Sequence, residues 1–262
     1  YMGPYLAINP RIIWKIVILM VSISAAGYIA VRLLGPRFGL PVAGLASGFA
    51  SSTATIASMS ARAVLEPSLA RSAVAGAALS TVATVVLMAI IVGVTSLRVL
   101  QLLALPLLSA GAAALLYGGI LTFLSVRRQA PPSTRPGRPF DLRTALLLAA
   151  TIALVLLVSA ALNAWLGQAG VLASTVVAGL ADPHAAAVSV ASLVESNKLS
   201  VPAAVPPILA AFTANTLTKI MVAISSGGRR FAWQVVPGLL LVCAAAWLPL
   251  LFLQGSTAVA AR

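Results

Sequence analysis

Eight apolar stretches follow one another along this chain, at about 11–34, 40–62, 69–95, 99–125, 143–166, 169–194, 204–226 and 232–253. About 20 consecutive apolar residues are what an α-helix needs to cross the ~30 Å hydrocarbon core of a bilayer. A chain assembled from such stretches is predicted to be an all-α integral membrane protein, with the lipid bilayer as its main solvent. Composition agrees: 61% of residues are hydrophobic and 8% charged, against roughly 25% charged in soluble domains.

Lys and Arg number 17 against four Asp and Glu, a net charge of +13. The basic residues lie between the apolar stretches, with few aromatics beside them, so they mark membrane topology and no nucleic-acid partner is expected. Residues 127–142 open with the Pro-, Gly- and Arg-rich run "RRQAPPSTRPGRPFD", an aqueous linker that the positive-inside rule places in the cytoplasm. Cys243 is the single cysteine and builds no disulfide or zinc framework within one chain. No cofactor is expected.

The linker separates two membrane repeats, 1–126 and 143–262, each of about four apolar segments. At a shift of about 131 residues, "GFASSTATIASMS" from Gly48 falls on "GLADPHAAAVSVA" from Gly179, pairing Ser51 with Asp182 and Thr53 with His184. Farther on, "STVAT" from Ser80 meets "ANTLT" from Ala214, pairing Thr81 with Asn215 and Thr84 with Thr218.

The second segment of each repeat is interrupted near its middle, by Gly44, Gly48 and Ser51-Ser52-Thr53 in one and by Asp182-Pro183 in the other. Asp followed by Pro is a helix-start signal: the carboxylate accepts free backbone N–H groups, and Pro at the first helical position has no N–H to strand. Ser51 can do the same work. Each segment is therefore expected to be broken or re-entrant, with a half-helix starting at mid-depth. Broken backbone at that depth is tolerated where protein or a water-filled cavity covers it. Matched breaks in two halves of a duplicated membrane protein point to a transporter's binding site.

Asp182 reads either as a cap alone or as part of such a site. An Asp at the centre of a spanning helix costs about 2.5–3.5 kcal/mol on insertion scales, and the first repeat manages with Ser. His184 reads as a hydrogen-bonded structural group or as a proton-carrying one. Lys219, in "FTANTLTKIMVAI", either snorkels towards the interface or faces the interior, one turn from Asn215, to pair with Asp182 or meet an anion. The candidate ion pathway comprises Asp182, His184, Ser51, Ser52, Thr53, Asn215, Thr218 and Lys219. Ser80, Thr81 and Thr84 are secondary candidates, which serve equally as interhelical hydrogen-bonding groups.

"GYIAVRLLGPRFGLPVAGLASGFASSTATIASMSARA", "AGLADPHAAAVSVA" and "NTLTKIMVAISSGGRRF" together resemble the uncharacterised C-terminal membrane domain of MgtC/SapB-type bacterial membrane proteins. The resemblance implies a bacterial cytoplasmic-membrane location, a suspected transport role with a loose link to magnesium, and an MgtC/SapB-type domain as a partner in cis or in trans. A second acidic residue tends to follow "GLAD" in that family, where this chain has His184.

The expected function is a channel or secondary transporter for a small inorganic ion. A cation, magnesium-related, stands narrowly ahead of an anion. The alternative is a non-transporting membrane regulator or scaffold that docks a partner protein. No enzyme is expected: the chain lacks a His–Glu zinc motif and a second His. A homodimer is expected, with faces such as Gly44/Gly48 able to bring helices close.

Overall fold

A computed structural model describes residues 39–126 and 142–260, with scattered positions between 10 and 29. Most of the first apolar stretch, and linker residues 127–141, fall outside the described residues. No strand occurs among those described. The helices are α1 (Gly39–Leu65), α2 (Ala70–Thr95), α3 (Leu97–Val126), α4 (Leu142–Ala181), α5 (Pro183–Glu195) and α6 (Val201–Ala260), with a short 3₁₀ turn at Pro67–Leu69.

Three of these are interrupted inside. Ser51 is extended (φ −165°, ψ 109°) and divides α1 into α1a (39–50) and α1b (52–65). Gly167 (φ 58°, ψ −139°) divides α4 into α4a (142–166) and α4b (168–181). Gly228 (φ 66°, ψ 177°) divides α6 into α6a (201–227) and α6b (229–260). The last two conformations belong almost exclusively to glycine, so the predicted segments 204–226 and 232–253 are separate helices on either side of Gly228. Among the described residues, four stretches are long and apolar enough to cross a membrane: Gly39–Leu65, Pro67–Thr95, Leu97–Ser125 and Val201–Leu250. On α3, Leu102, Leu105, Leu108, Leu116, Ile120 and Phe123 are exposed at helical spacing. A stripe of that size would be an aggregation face in water and is an ordinary lipid face in a bilayer. The chain is an all-α membrane protein.

α2 is the central helix, buried along nearly its whole length from Ala73 to Val92. Its enclosure depends on close backbone approach by α1a. A Cβ built on Gly44 would run into the Gly76 carbonyl, and one on Gly48 would lie 2.8 Å from Ser80 Cα. The Gly44/Gly48 face is thus consumed within the chain. These two contacts and the Thr84–Ser52 hydrogen bond (2.8 Å) advance together, so α1a runs parallel to the first half of α2. α1b then folds back. Thr55 Oγ1 donates to Ser47 Oγ at 3.0 Å, although eight residues of straight helix would separate them by about 12 Å. Leu40 from the start of α1a shares a core with Ile56 and Met59 of α1b.

α4b and α5 form a second hairpin, with α4b against α6a and α5 against the other half of α2. A Cβ on Gly179 would meet Ala211 Cα at 2.5 Å, and Val171 of α4b shares a core with Ala187 and Val190 of α5 and with Ala204 and Ile208 of α6a. α5 starts beside Thr84, whose carbonyl lies 3.4 Å from His184 Nε2. It ends where Ser96 Oγ donates to Glu195 Oε1 at 2.6 Å. The two hairpins therefore approach from opposite ends of α2 and meet at Thr84, about 21 Å along that helix from Ala70 at 1.5 Å per residue.

Candidate functional site at the hairpin junction

Both tips follow from local capping chemistry. At the first, Ser51 Oγ accepts the Ala54 N–H (3.2 Å) and starts α1b. At the second, Asp182 (φ −151°, ψ 111°) is the N-cap of α5, with Pro183 in the first turn. Asp182 Oδ1 accepts the His184 backbone N–H at 2.9 Å and faces His184 Nδ1 at the same distance. The imidazole thus stands between two acceptors, Asp182 Oδ1 and the Thr84 carbonyl. A neutral ring can donate to only one of them.

Thr84 is the hub. Its Oγ1 accepts from Lys219 Nζ at 2.9 Å and donates to Ser52 Oγ at 2.8 Å, so one hydroxyl joins α6a, α2 and α1b. Lys219 is 1% exposed. It does not snorkel. Nor does it pair with Asp182, whose ion partner is His184. The four-carbon stem of Lys219 is spent reaching Thr84.

The remaining candidates divide. Asn215, 3% exposed, lies one turn before Lys219 on the same helical face, and its amide has no hydrogen-bond partner among the described residues. Thr218 turns elsewhere, donating to the Leu180 carbonyl at 2.8 Å, where α4b ends and its last carbonyls lack helical partners. Thr53 is half-buried and makes no side-chain hydrogen bond among the described residues. Ser80 bonds back to the Ala77 carbonyl (2.7 Å), while Thr81 Oγ1 and Ser189 Oγ are buried with no hydrogen-bond partner among the described residues. The structure brings Ser52, Thr84, His184, Asp182 and Lys219 together and leaves Ser51 and Thr218 as caps of the two broken segments.

Sequence reasoning ranked Thr84 second. A usable signal was its offset of 32 residues from Ser52, which recurs in Gly44/Gly76, Gly48/Ser80 and Gly179/Ala211. It did not count Ser47, Thr55 or Ser189 among the site candidates. Glu195, at the end of α5, is clasped by Ser96 and by Arg98 (3.2 Å). The Ser96 hydroxyl first, and the Arg98 guanidinium after it, hold the Glu195 carboxyl below the usual range. No group of three or more His, Cys, Asp or Glu gathers among the described residues.

The model of one protein family, described as "Domain of unknown function (DUF4010)", matches residues 18–227. The chain belongs to the DUF4010 family. That stretch takes in both hairpins, the Thr84 hub and Lys219, so the junction lies wholly within the DUF4010 domain. The match carries no link to an MgtC/SapB-type domain. No curated protein and no solved structure is similar to the chain.

Proposed function

We propose that this chain is a channel or secondary transporter for a small inorganic ion, built from two inverted repeats whose second segments are re-entrant hairpins. One observation carries the reading: two half-helices, α1b and α5, start at a junction in the middle of α2, around the Ser52–Thr84–Lys219 chain. Interrupted helices in two halves of a membrane protein, with polar groups at their tips, are the usual construction of a transport site. Non-helical backbone at that depth must be enclosed by protein or line a cavity.

The duplication has support beyond the sequence alignment. Gly48 packs on Ser80 and Gly179 on Ala211, two contacts related by one shift of 131 residues. Carried along the helices, that shift sets Thr84 opposite Asn215, and not opposite Thr218 as aligning "STVAT" with "ANTLT" would have it. The hub hydroxyl of one half then answers to the unpartnered amide of the other. With re-entrant hairpins each repeat crosses three times, which inverts the second relative to the first and keeps linker 127–142 in the cytoplasm.

Ion flux from liposomes carrying the purified full chain tests this directly. Flux of at least one small ion above that of empty vesicles is expected. A folded, reconstituted protein that moves none of potassium, sodium, magnesium, chloride or nitrate would leave the non-transporting regulator as the better reading.

A further inference from the structure

Hydrogen-bond direction at the junction says what kind of ion fits. Lys219 Nζ gives one of its three N–H groups to Thr84 Oγ1, and Thr84 gives its proton to Ser52 Oγ. The relay ends on the Ser52 hydroxyl, whose own proton has no acceptor among the described residues. The unengaged groups of this chain are mainly donors: two N–H groups of the Lys219 head and the Ser52 O–H, beside one remaining lone pair on Ser52 Oγ. Ser51 Oγ takes the Ala54 N–H at the start of α1b. The Asn215 side chain, 3% exposed and unpartnered, adds an amide from the Lys219 face of α6a.

The acidic group is already occupied. Asp182 Oδ1 accepts from the His184 backbone and faces its ring, and that ring separates it from Thr84. The start of α5 is closed by its own cap: Pro183 has no N–H, and the His184 N–H is taken. The second tip is therefore sealed by its own side chains. With one neutral hydroxyl as its partner, a buried Lys219 head would hold its charge only with an anion beside it.

We infer that the ion received at the junction is a small inorganic anion, seated on Lys219 Nζ and the Ser52 hydroxyl, with Asn215 beside it. Asp182 is a positioning residue that holds α5 and the His184 ring in place. The inference rests on the transport reading above and selects between the cation and anion forms of it.

Chloride and nitrate efflux, and potassium, sodium and magnesium uptake, are measured separately in liposomes carrying the full chain. Wild type should move chloride or nitrate. Lys219→Met should lower that flux about tenfold or more, the scale of losing a charged hydrogen bond. Lys219→Arg should keep a substantial share, and Ser52→Ala should lower it several-fold. Thermal melting and size-exclusion profiles are recorded for each variant. If Lys219→Met does not fold, Ser52→Ala decides. Cation uptake without chloride or nitrate efflux overturns the anion inference and leaves transport standing, as does anion flux that Lys219→Met and Ser52→Ala leave unchanged. Absence of all fluxes removes both.

Discussion

Replacing Gly48 by Ala tests the packing that brings the first hairpin against α2. The added Cβ would lie 2.8 Å from both Ser80 Cα and the Ser80 carbonyl oxygen. Those are backbone atoms of a buried helix and cannot rotate away, so α1a must move off α2. Overpacking of this kind costs about 1–3 kcal/mol, against which the better helix propensity of Ala returns about 1 kcal/mol. Gly179→Ala meets Ala211 Cα and its carbonyl at 2.5 Å, a tighter clash, and should cost at least as much. Gly119 on α3 supplies the control, because a Cβ there meets nothing within 4 Å; Gly119→Ala should be neutral or stabilising by up to about 1 kcal/mol. Thermal unfolding of the three variants in one detergent, followed by the loss of the monodisperse peak, gives the ranking. Equal melting of Gly48→Ala, Gly179→Ala and Gly119→Ala would refute the close approach of both hairpins to the α2 and α6a backbones.

Two further outcomes follow from the caps and the clasp. Asp182→Asn keeps an N-cap side chain and Asp182→Ala removes it, so Ala should lose about 0.5–2 kcal/mol more stability than Asn; since Asp182 is a positioning residue, Asn should also retain most of the flux, and abolished flux in a folded Asn variant would instead make the carboxylate a ligand. Glu195 is held below its ordinary range by Ser96 and Arg98, so its contribution is complete above an unfolded value of about 4.3 and disappears as pH falls through the lower folded value. The side chains of Arg98 and Glu195 are 57% and 36% exposed, which limits the ion pair to at most about 1 kcal/mol after screening. Melting curves of wild type and Glu195→Gln should differ at pH 6 and converge as the pH is taken below about 4; a gap that persists there would mean that the charge is not what stabilises the clasp.

The all-α membrane class and the positions of both breaks were legible in the sequence because their causes are local. An apolar run long enough to span needs no partner to be recognised. Asp182-Pro183 and Ser51 stop one helix and start another through their own side chains and the missing proline N–H. What the helices do after a break is not local. That α1b doubles back, bringing Thr55 onto Ser47, depends on Gly44 and Gly48 finding Gly76 and Ser80 on another helix. Under the proposed duplication, the glycine contacts pair Thr84 with Asn215, whereas the letters alone pair it with Thr218, because an Ala-, Val- and Thr-rich run can be aligned at several offsets and a missing Cβ fits against a backbone at only one. Lys219 was undecided between interface and interior for a similar reason: its flexible stem reaches either, and only the rotation of α6a against α2 places Nζ on the Thr84 hydroxyl.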